Sequence, residues 1–381
     1  MKRLLFFAVA GIMSLSVQAQ ALRDINFSYL YSQDQPFKFT WKPVRSENAW
    51  SVYYELKLTD ATALADAYYL QWDVRSALFD KQGTKLKTDS TALKGKIELN
   101  VSAAVQILVV KVIHKNAKQA WFYYQILDPK YPATAILKSH DEIILERYVK
   151  SDRPYTVAGE SLKTVSYYNT VFPPATPVFS ESVGKVSAGM RVDSTFTLIA
   201  GQTLDSLQEG LYLLQKDTSS AEGLAFRVQP DYPRYGKVEN LADPLIYVCT
   251  KSEFDRIKAA KGDKKAFDRV ILSITGDTER AKQFMRSYFR RVELANIFFT
   301  SYKEGWKTDR GMIYIIMGVP DEVFRFNDRE VWNYKNESYK ISFDFVKSPT
   351  LFDPENYVLI REKKFRETWY EVIDLWRNAR F

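Results

Sequence analysis

The feature that most constrains the fold is a succession of short apolar runs, each of strand length and each closed by turn residues, through the first 235 positions. Residues 51–58 (Ser-Val-Tyr-Tyr-Glu-Leu-Lys-Leu) mix apolar and polar side chains with the alternation of a half-buried strand. Residues 68–72, 104–113 and 121–127 are further apolar runs of strand length. Asp80-Lys81-Gln82-Gly83 and Lys115-Asn116-Ala117-Lys118 supply turns between them. Short strands at this spacing predict a β-sandwich. The 24 Tyr and 24 Phe agree with that, because aromatic rings fit a pleated, half-buried surface. Asp128-Pro129 and Tyr131-Pro132 then mark a boundary. A second series follows, with strands expected at 143–145, 165–168, 194–199, 209–215 and 223–228. The expectation is two tandem Ig-like β-sandwich domains, at 20–129 and 130–235.

The pattern changes after Pro233. The run 245–249, which ends in the only cysteine, Cys249, is expected to be a strand. Residues 251–260 and 264–274 predict helices broken by Gly262-Asp263. Asp277 is a good N-cap, since its carboxylate can accept from the free amides of a first turn. The helix it opens places Ala281, Phe284, Tyr288, Val292, Ala295 and Phe299 on one face and ends near Thr300. After the corner Gly305-Trp306-Lys307-Thr308-Asp309-Arg310-Gly311, an apolar strand is expected at 312–317, stopped by Gly318 and Pro320. Strands at 330–334 and 340–346 complete a small antiparallel meander. The tail 365–377 carries Trp369, Val372, Ile373 and Trp376 at helical spacing. The fold class is therefore mainly β, with a C-terminal α+β domain at 236–381.

The corner has two readings. In the structural one, Gly305 leaves the helix with positive φ, and Trp306 plugs the gap between helix and sheet with its indole N–H on a carbonyl. Thr308 and Asp309 bond backbone groups of the turn. Arg310 pairs with Asp321 or Glu322, and Gly311 releases the chain into the strand. In the functional reading, Asp309 and Arg310 face a cleft and bind a polar ligand or a peptide terminus. Asp309 with Asp321 or Glu322 would then form an acid–base pair or a hard-cation site. The spacing does not demand this second arrangement, and the structural reading is preferred.

Gly305, Trp306, Thr308 and Asp309 resemble the signature of the GWxTD-domain family. The likeness extends to residues 286–296 before the motif, to 308–321 at its centre and to Val331-Trp332-Asn333-Tyr334 after it, covering roughly 251–346. The resemblance implies an exported, envelope-associated protein and supplies no reaction.

The N-terminus agrees with export. Lys2 and Arg3 precede an apolar stretch, residues 4–17, and Ala19 and Ala21 suit a signal peptidase, so residues 1–19 read as a leader cleaved after Ala19. No later segment reaches transmembrane length. With a single cysteine no intrachain disulfide can form, and Cys249 reads as a small buried hydrophobe. His114 and His140 lack the spacing of a zinc site, and no P-loop, dinucleotide fingerprint or G-x-S-x-G elbow occurs. No cofactor, metal or nucleic acid is expected. The formal charge of +8 comes from 54 basic and 46 acidic residues spread along the chain, a solvated mixed surface; a one-sided basic patch would instead favour anionic surfaces. The functional expectation is a non-enzymatic periplasmic or cell-surface module that binds a protein or envelope component through its C-terminal GWxTD-type domain. The alternative is an envelope hydrolase or ligand-binding enzyme using Asp309, Arg310 and Asp321.

Overall fold

Seven strands form from the aromatic-rich runs of the first unit: β1 (Phe37–Arg45), β2 (Ala49–Leu58), β3 (Tyr68–Arg75), β4 (Thr84–Lys85), β5 (Lys94–Asn100), β6 (Gln106–His114) and β7 (Gln119–Leu127). The computed structural model describes residues 20–380 except 61, 63, 103, 118, 128–130, 160–163, 181–189, 200 and 337–338, so the expected leader lies outside the described residues. The strands make two antiparallel sheets, β1-β2-β5 and β4-β3-β6-β7. Trp50, Val52, Tyr54 and Leu56 alternate out of β2 into the space between them and meet Leu70, Trp72, Leu108 and Val110.

The second unit contains β8 (Ala135–Ser139), β9 (Glu142–Ile143), β10 (Tyr148–Val149), β11 (Thr156–Gly159), β12 (Thr164–Tyr168), β13 (Ser194–Thr197), β14 (Gly210–Gln215) and β15 (Leu224–Val228). They form the sheets β11-β8-β9 and β10-β15-β14-β12-β13, with β10 parallel to β15. Leu137, Tyr155, Val165, Leu214 and Phe226 fill the core of this unit.

The C-terminal part begins with the short helix α1 (Val238–Leu241), followed by α2 (Lys251–Ala259), α3 (Lys264–Thr275), α4 (Thr278–Phe299) and α5 (Asp309–Met317). Side chains close the helix starts: Thr250 and Glu253 form a reciprocal capping box on α2, and Asp263 and Asp277 accept first-turn amides of α3 and α4. The sheet that follows has the order β16 (Glu322–Arg325), β17 (Arg329–Lys335), β18 (Lys340–Lys347) and β19 (Tyr357–Leu359), and α6 (Arg366–Arg377) ends the fold. The chain is thus mainly β, with sandwich-like sheets first and an α+β part at the C-terminal end.

Two apolar runs differ from the expected strands. Residues 312–317 belong to helix α5, and 243–247 form a 3-10 turn with Pro244 in its first positions. Met312, Ile313, Tyr314, Ile315 and Ile316 are all buried, so no polar face remains to betray the 3.6-residue period. A short, wholly buried run reads alike as helix or strand. The deciding signal is Thr308, whose Oγ1 accepts the Gly311 N–H at 3.0 Å and so starts a helix where a strand was expected.

The three parts share cores. Strand β6 is buried on both faces: Leu108, Val110 and Val112 point into the sandwich, while Ile107, Val109 and Ile113 join the core of the C-terminal part. Residues 22–31 run across the C-terminal sheet, and the Phe27 N–H donates to the Val323 carbonyl at 2.8 Å. Among the described residues no helix is long and apolar enough to cross a membrane.

Helix α6 is clamped at its C-terminal end by two neighbouring residues. The Trp376 indole donates to the Ile316 carbonyl at 3.0 Å, and the Arg377 guanidinium bonds both Glu253 oxygens, at 2.7 and 2.8 Å. Those bonds, with the Thr250 amide, outweigh burial and bring the Glu253 carboxyl from 4.5 down to about 2. A carboxyl with a depressed folded value stabilises fully above its unfolded pKa and loses that contribution as pH falls. Urea unfolding between pH 5 and pH 2 should therefore show Glu253→Gln closing on the wild type as pH drops. The gap should be at most about 3 kcal/mol at neutral pH and near zero by about pH 2. The glutamine keeps the capping box, so the difference isolates the bond to Arg377.

Candidate functional site

The corner between α4 and α5 is built by close approach. A Cβ on Gly305 would lie 2.1 Å from the Ala295 carbonyl oxygen and 2.6 Å from the Asn296 Cα, both backbone atoms of α4. A Cβ on Gly311 would lie 1.9 Å from the Gly305 carbonyl oxygen. The two glycines thus let a helix, a 3-10 turn and a second helix touch. Neither has positive φ; the left-handed glycine is Gly318, at φ 88°, where α5 ends. The role expected for Gly305 is corrected accordingly: space, not backbone handedness, demands it.

Trp306 is 2% exposed and bonded at three points. Its N–H donates to Asn296 Oδ1 at 3.0 Å, its carbonyl accepts from the Tyr247 hydroxyl at 2.9 Å, and its indole donates to the Tyr235 hydroxyl at 3.0 Å. The indole partner is a phenol in place of the expected carbonyl. Asn296, fully buried on α4, also donates through its amide to the Pro233 carbonyl at 2.9 Å. Thr308 donates to the Gly305 carbonyl at 2.7 Å while it caps α5.

Asp309 faces inward. Its Oδ2 accepts the Leu359 N–H of β19 at 2.8 Å, and its Oδ1 accepts from the Arg361 guanidinium at 2.5 Å. These side chains are only 11% and 5% exposed. The same guanidinium donates to the Thr176 carbonyl at 3.1 Å, so the pair ties α5 to the last strand and to the proline-rich loop of the second unit. Arg310 does not reach Asp321 or Glu322. Its guanidinium lies 3.6 Å from Glu330, 4.3 Å over the Tyr357 ring and 5.4 Å from the Phe299 ring. Glu330 is wholly buried, shared with Arg325 at 3.5 Å, and accepts from Tyr31 and from the Trp332 indole, each at 2.6 Å. Aromatic stacking and a nearby carboxylate let guanidinium groups sit in an interior that would otherwise reject them.

Asp321 is exposed and accepts the Lys335 N–H at 2.6 Å, while Glu322 pairs with Lys335 and Asn333. The structure brings Gly305, Trp306, Thr308, Asp309 and Gly311 into one corner, places Arg310 on the neighbouring Glu330 cluster and sets Asp321 apart at the start of β16. Sequence reasoning missed Arg361, Glu330 and Asn296, the residues that hold the motif from outside it. Of the other candidates, His114 Nδ1 accepts the Ala117 N–H at 3.0 Å, and burial pushes the Cys249 thiol up to about 12. Among the described residues no group of three or more His, Cys, Asp and Glu could hold a metal ion.

Residues 210–378 match the family model of the GWxTD domain. The chain thus carries a GWxTD domain over these residues. The match opens at the first residue of β14, so the GWxTD region takes in the β14–β15 hairpin with the helices, the corner and the C-terminal sheet. No curated protein matches the chain.

In the GWxTD corner, removing one partner of a buried ion pair leaves the other charge uncompensated, at a cost of about 3–5 kcal/mol. Asp309→Asn should fall at the low end, near about 3 kcal/mol by urea unfolding, since an amide oxygen can still accept from Leu359. Thr308→Ala should cost about 1 kcal/mol, with Thr308→Ser close to wild type. Native Cys249 should resist a thiol reagent at pH 8 and react promptly once the chain is unfolded.

Proposed function

We propose that this GWxTD protein is an exported envelope protein that acts by binding a protein or envelope component, with no reaction centred on its motif. The supporting observation is the internal engagement of the Asp309 carboxylate. Both its oxygens are taken, one by the Leu359 amide and one by Arg361, in a site almost closed to solvent. A general acid or base must reach a substrate proton. A carboxylate held this way serves the fold. The leader-like residues 1–19 support export, and the spread of charge over the chain supports a solvated surface carrying a local interaction site.

The alternative is hydrolysis by Asp309 with Arg310 and Asp321. The arrangement favours it less, because the three side chains engage three different partners: Arg361, Glu330 and the Lys335 amide. The two readings separate in one experiment. The mature protein and its Asp309→Asn variant are recovered from the producing cell's envelope, checked for folding by circular dichroism, and assayed for partner crosslinking and for hydrolysis of peptidoglycan and peptide substrates. Binding by both proteins, with no hydrolysis by either, is the expected outcome. Hydrolysis by the wild type that vanishes in folded Asp309→Asn would contradict the reading.

A further inference from the structure

A cleft of about 270 Å3 opens where the two β units meet the C-terminal domain. Its walls come from all three: Trp41 and Trp50 from the first, Leu211 and Phe226 from the second, Leu351 and Phe352 from the third. Trp41 and Gln125 also line a neighbouring hollow of about 410 Å3, walled by Tyr29, Phe37, Phe39, Tyr123 and Phe298. Mostly apolar concavities of about 300–1,000 Å3 with a few polar groups are the usual form of small-molecule sites.

Among the described residues, the charges in the smaller hollow do not balance. Lys347 bonds Glu355 at 2.8 Å, and Arg147 is ion-paired with Asp353. Lys42 is half-buried on β1 and its amine forms no hydrogen bond or ion pair with a described residue, while the nearby Glu146 is held by Lys38 at 3.5 Å. Among the described residues, Lys42, Arg147 and Lys347 thus face Asp353 and Glu355, with the Lys38–Glu146 pair beside them. Burial, and then the repulsion of Arg147, bring the Lys42 amine down to about 8 against the partial attraction of Glu146. An unpaired charge beside apolar walls is costly, and a ligand that supplies the opposite charge recovers that cost.

We propose that this cleft binds a small amphipathic monoanion, its carboxylate seated between Lys42 and Arg147 and its apolar chain lying along Trp41 toward the second hollow. The site is proposed independently of the partner binding above, and none of its walls comes from the GWxTD corner. A carboxylate supplies the one missing negative charge. The aromatic side chains of β1 and β7 supply the apolar surface for the chain. A more highly charged ligand would leave excess negative charge in the cleft.

The test is calorimetric titration of the mature full-length protein at pH 7 with decanoate and, separately, with 1-decanol. The expected result is saturable binding at one site, with decanoate at least tenfold tighter than the alcohol. Lys42→Met should weaken decanoate at least tenfold and leave 1-decanol within twofold, while Lys42→Arg keeps the preference for the anion. Ala225→Phe, which fills the cleft from β15, should abolish binding of both. Absence of saturable decanoate binding by the wild type would overturn the proposal. So would equal affinity for the two ligands, or unchanged decanoate binding in folded Lys42→Met. The wild-type comparison decides the matter even where a variant fails to fold.

Discussion

The GWxTD domain depends on one steric constraint, the contact between the Gly305 carbonyl and the Cα of Gly311. With no side chain at either position, the 3-10 turn that carries Trp306 nests between α4 and α5 and the helices share one core. Backbone lies on the far side of both glycines, so neither approach can relax by rotating a side chain away. The other motif residues complete this geometry. Trp306 fills the space behind the turn and ties it to Asn296, Tyr235 and Tyr247, Thr308 starts the next helix, and Asp309 reaches across to the last strand. The motif string is thus the sequence shadow of a three-way junction.

The same corner explains how the parts of the molecule stay together. Arg361, fixed by Asp309, holds the carbonyl of Thr176, a residue of the second unit's proline-rich loop. One residue beyond Asp309, Arg310 enters the Glu330 cluster, where Arg325 stacks 4.7 Å over Tyr124 of β7 and Tyr31 arrives from the N-terminal segment. The cluster joins α5, the C-terminal sheet and the first sandwich through paired, aromatic-covered charges. Such an arrangement contributes registry more than net stability, because the charges had to be taken out of water to form it. With β6 buried on both faces, the sandwich docks on the C-terminal domain through an apolar sheet face and a buried ionic cluster.

Much of this was legible in the sequence where a polar face or a cap survived. Asp277 and the three-and-four spacing from Phe284 to Phe299 define α4, and the alternation of residues 51–58 defines β2. Helix α5 was not legible because burial on every side erased its period, and Thr308, its N-cap, reads equally well as a turn residue. The partner of Arg310 was sought among its neighbours in sequence, Asp321 and Glu322. The alternation of β17 carried the better signal: Glu330 shares a face with Trp332 and Tyr334, which makes it a carboxylate committed to the core. Arg361 lies 52 residues beyond Asp309, and only the folded sheet brings it back. Local rules recover elements; the contacts that give the motif its meaning are long-range.

The central claim is that Asp309 is committed to Arg361. A double-mutant cycle with Asp309→Asn, Arg361→Met and the double variant, read by urea unfolding, measures that commitment directly. The account predicts a favourable coupling of more than about 1 kcal/mol, with the double variant losing much less than the single losses added together. Additive losses in folded proteins would contradict it, for the carboxylate would then be free to act elsewhere.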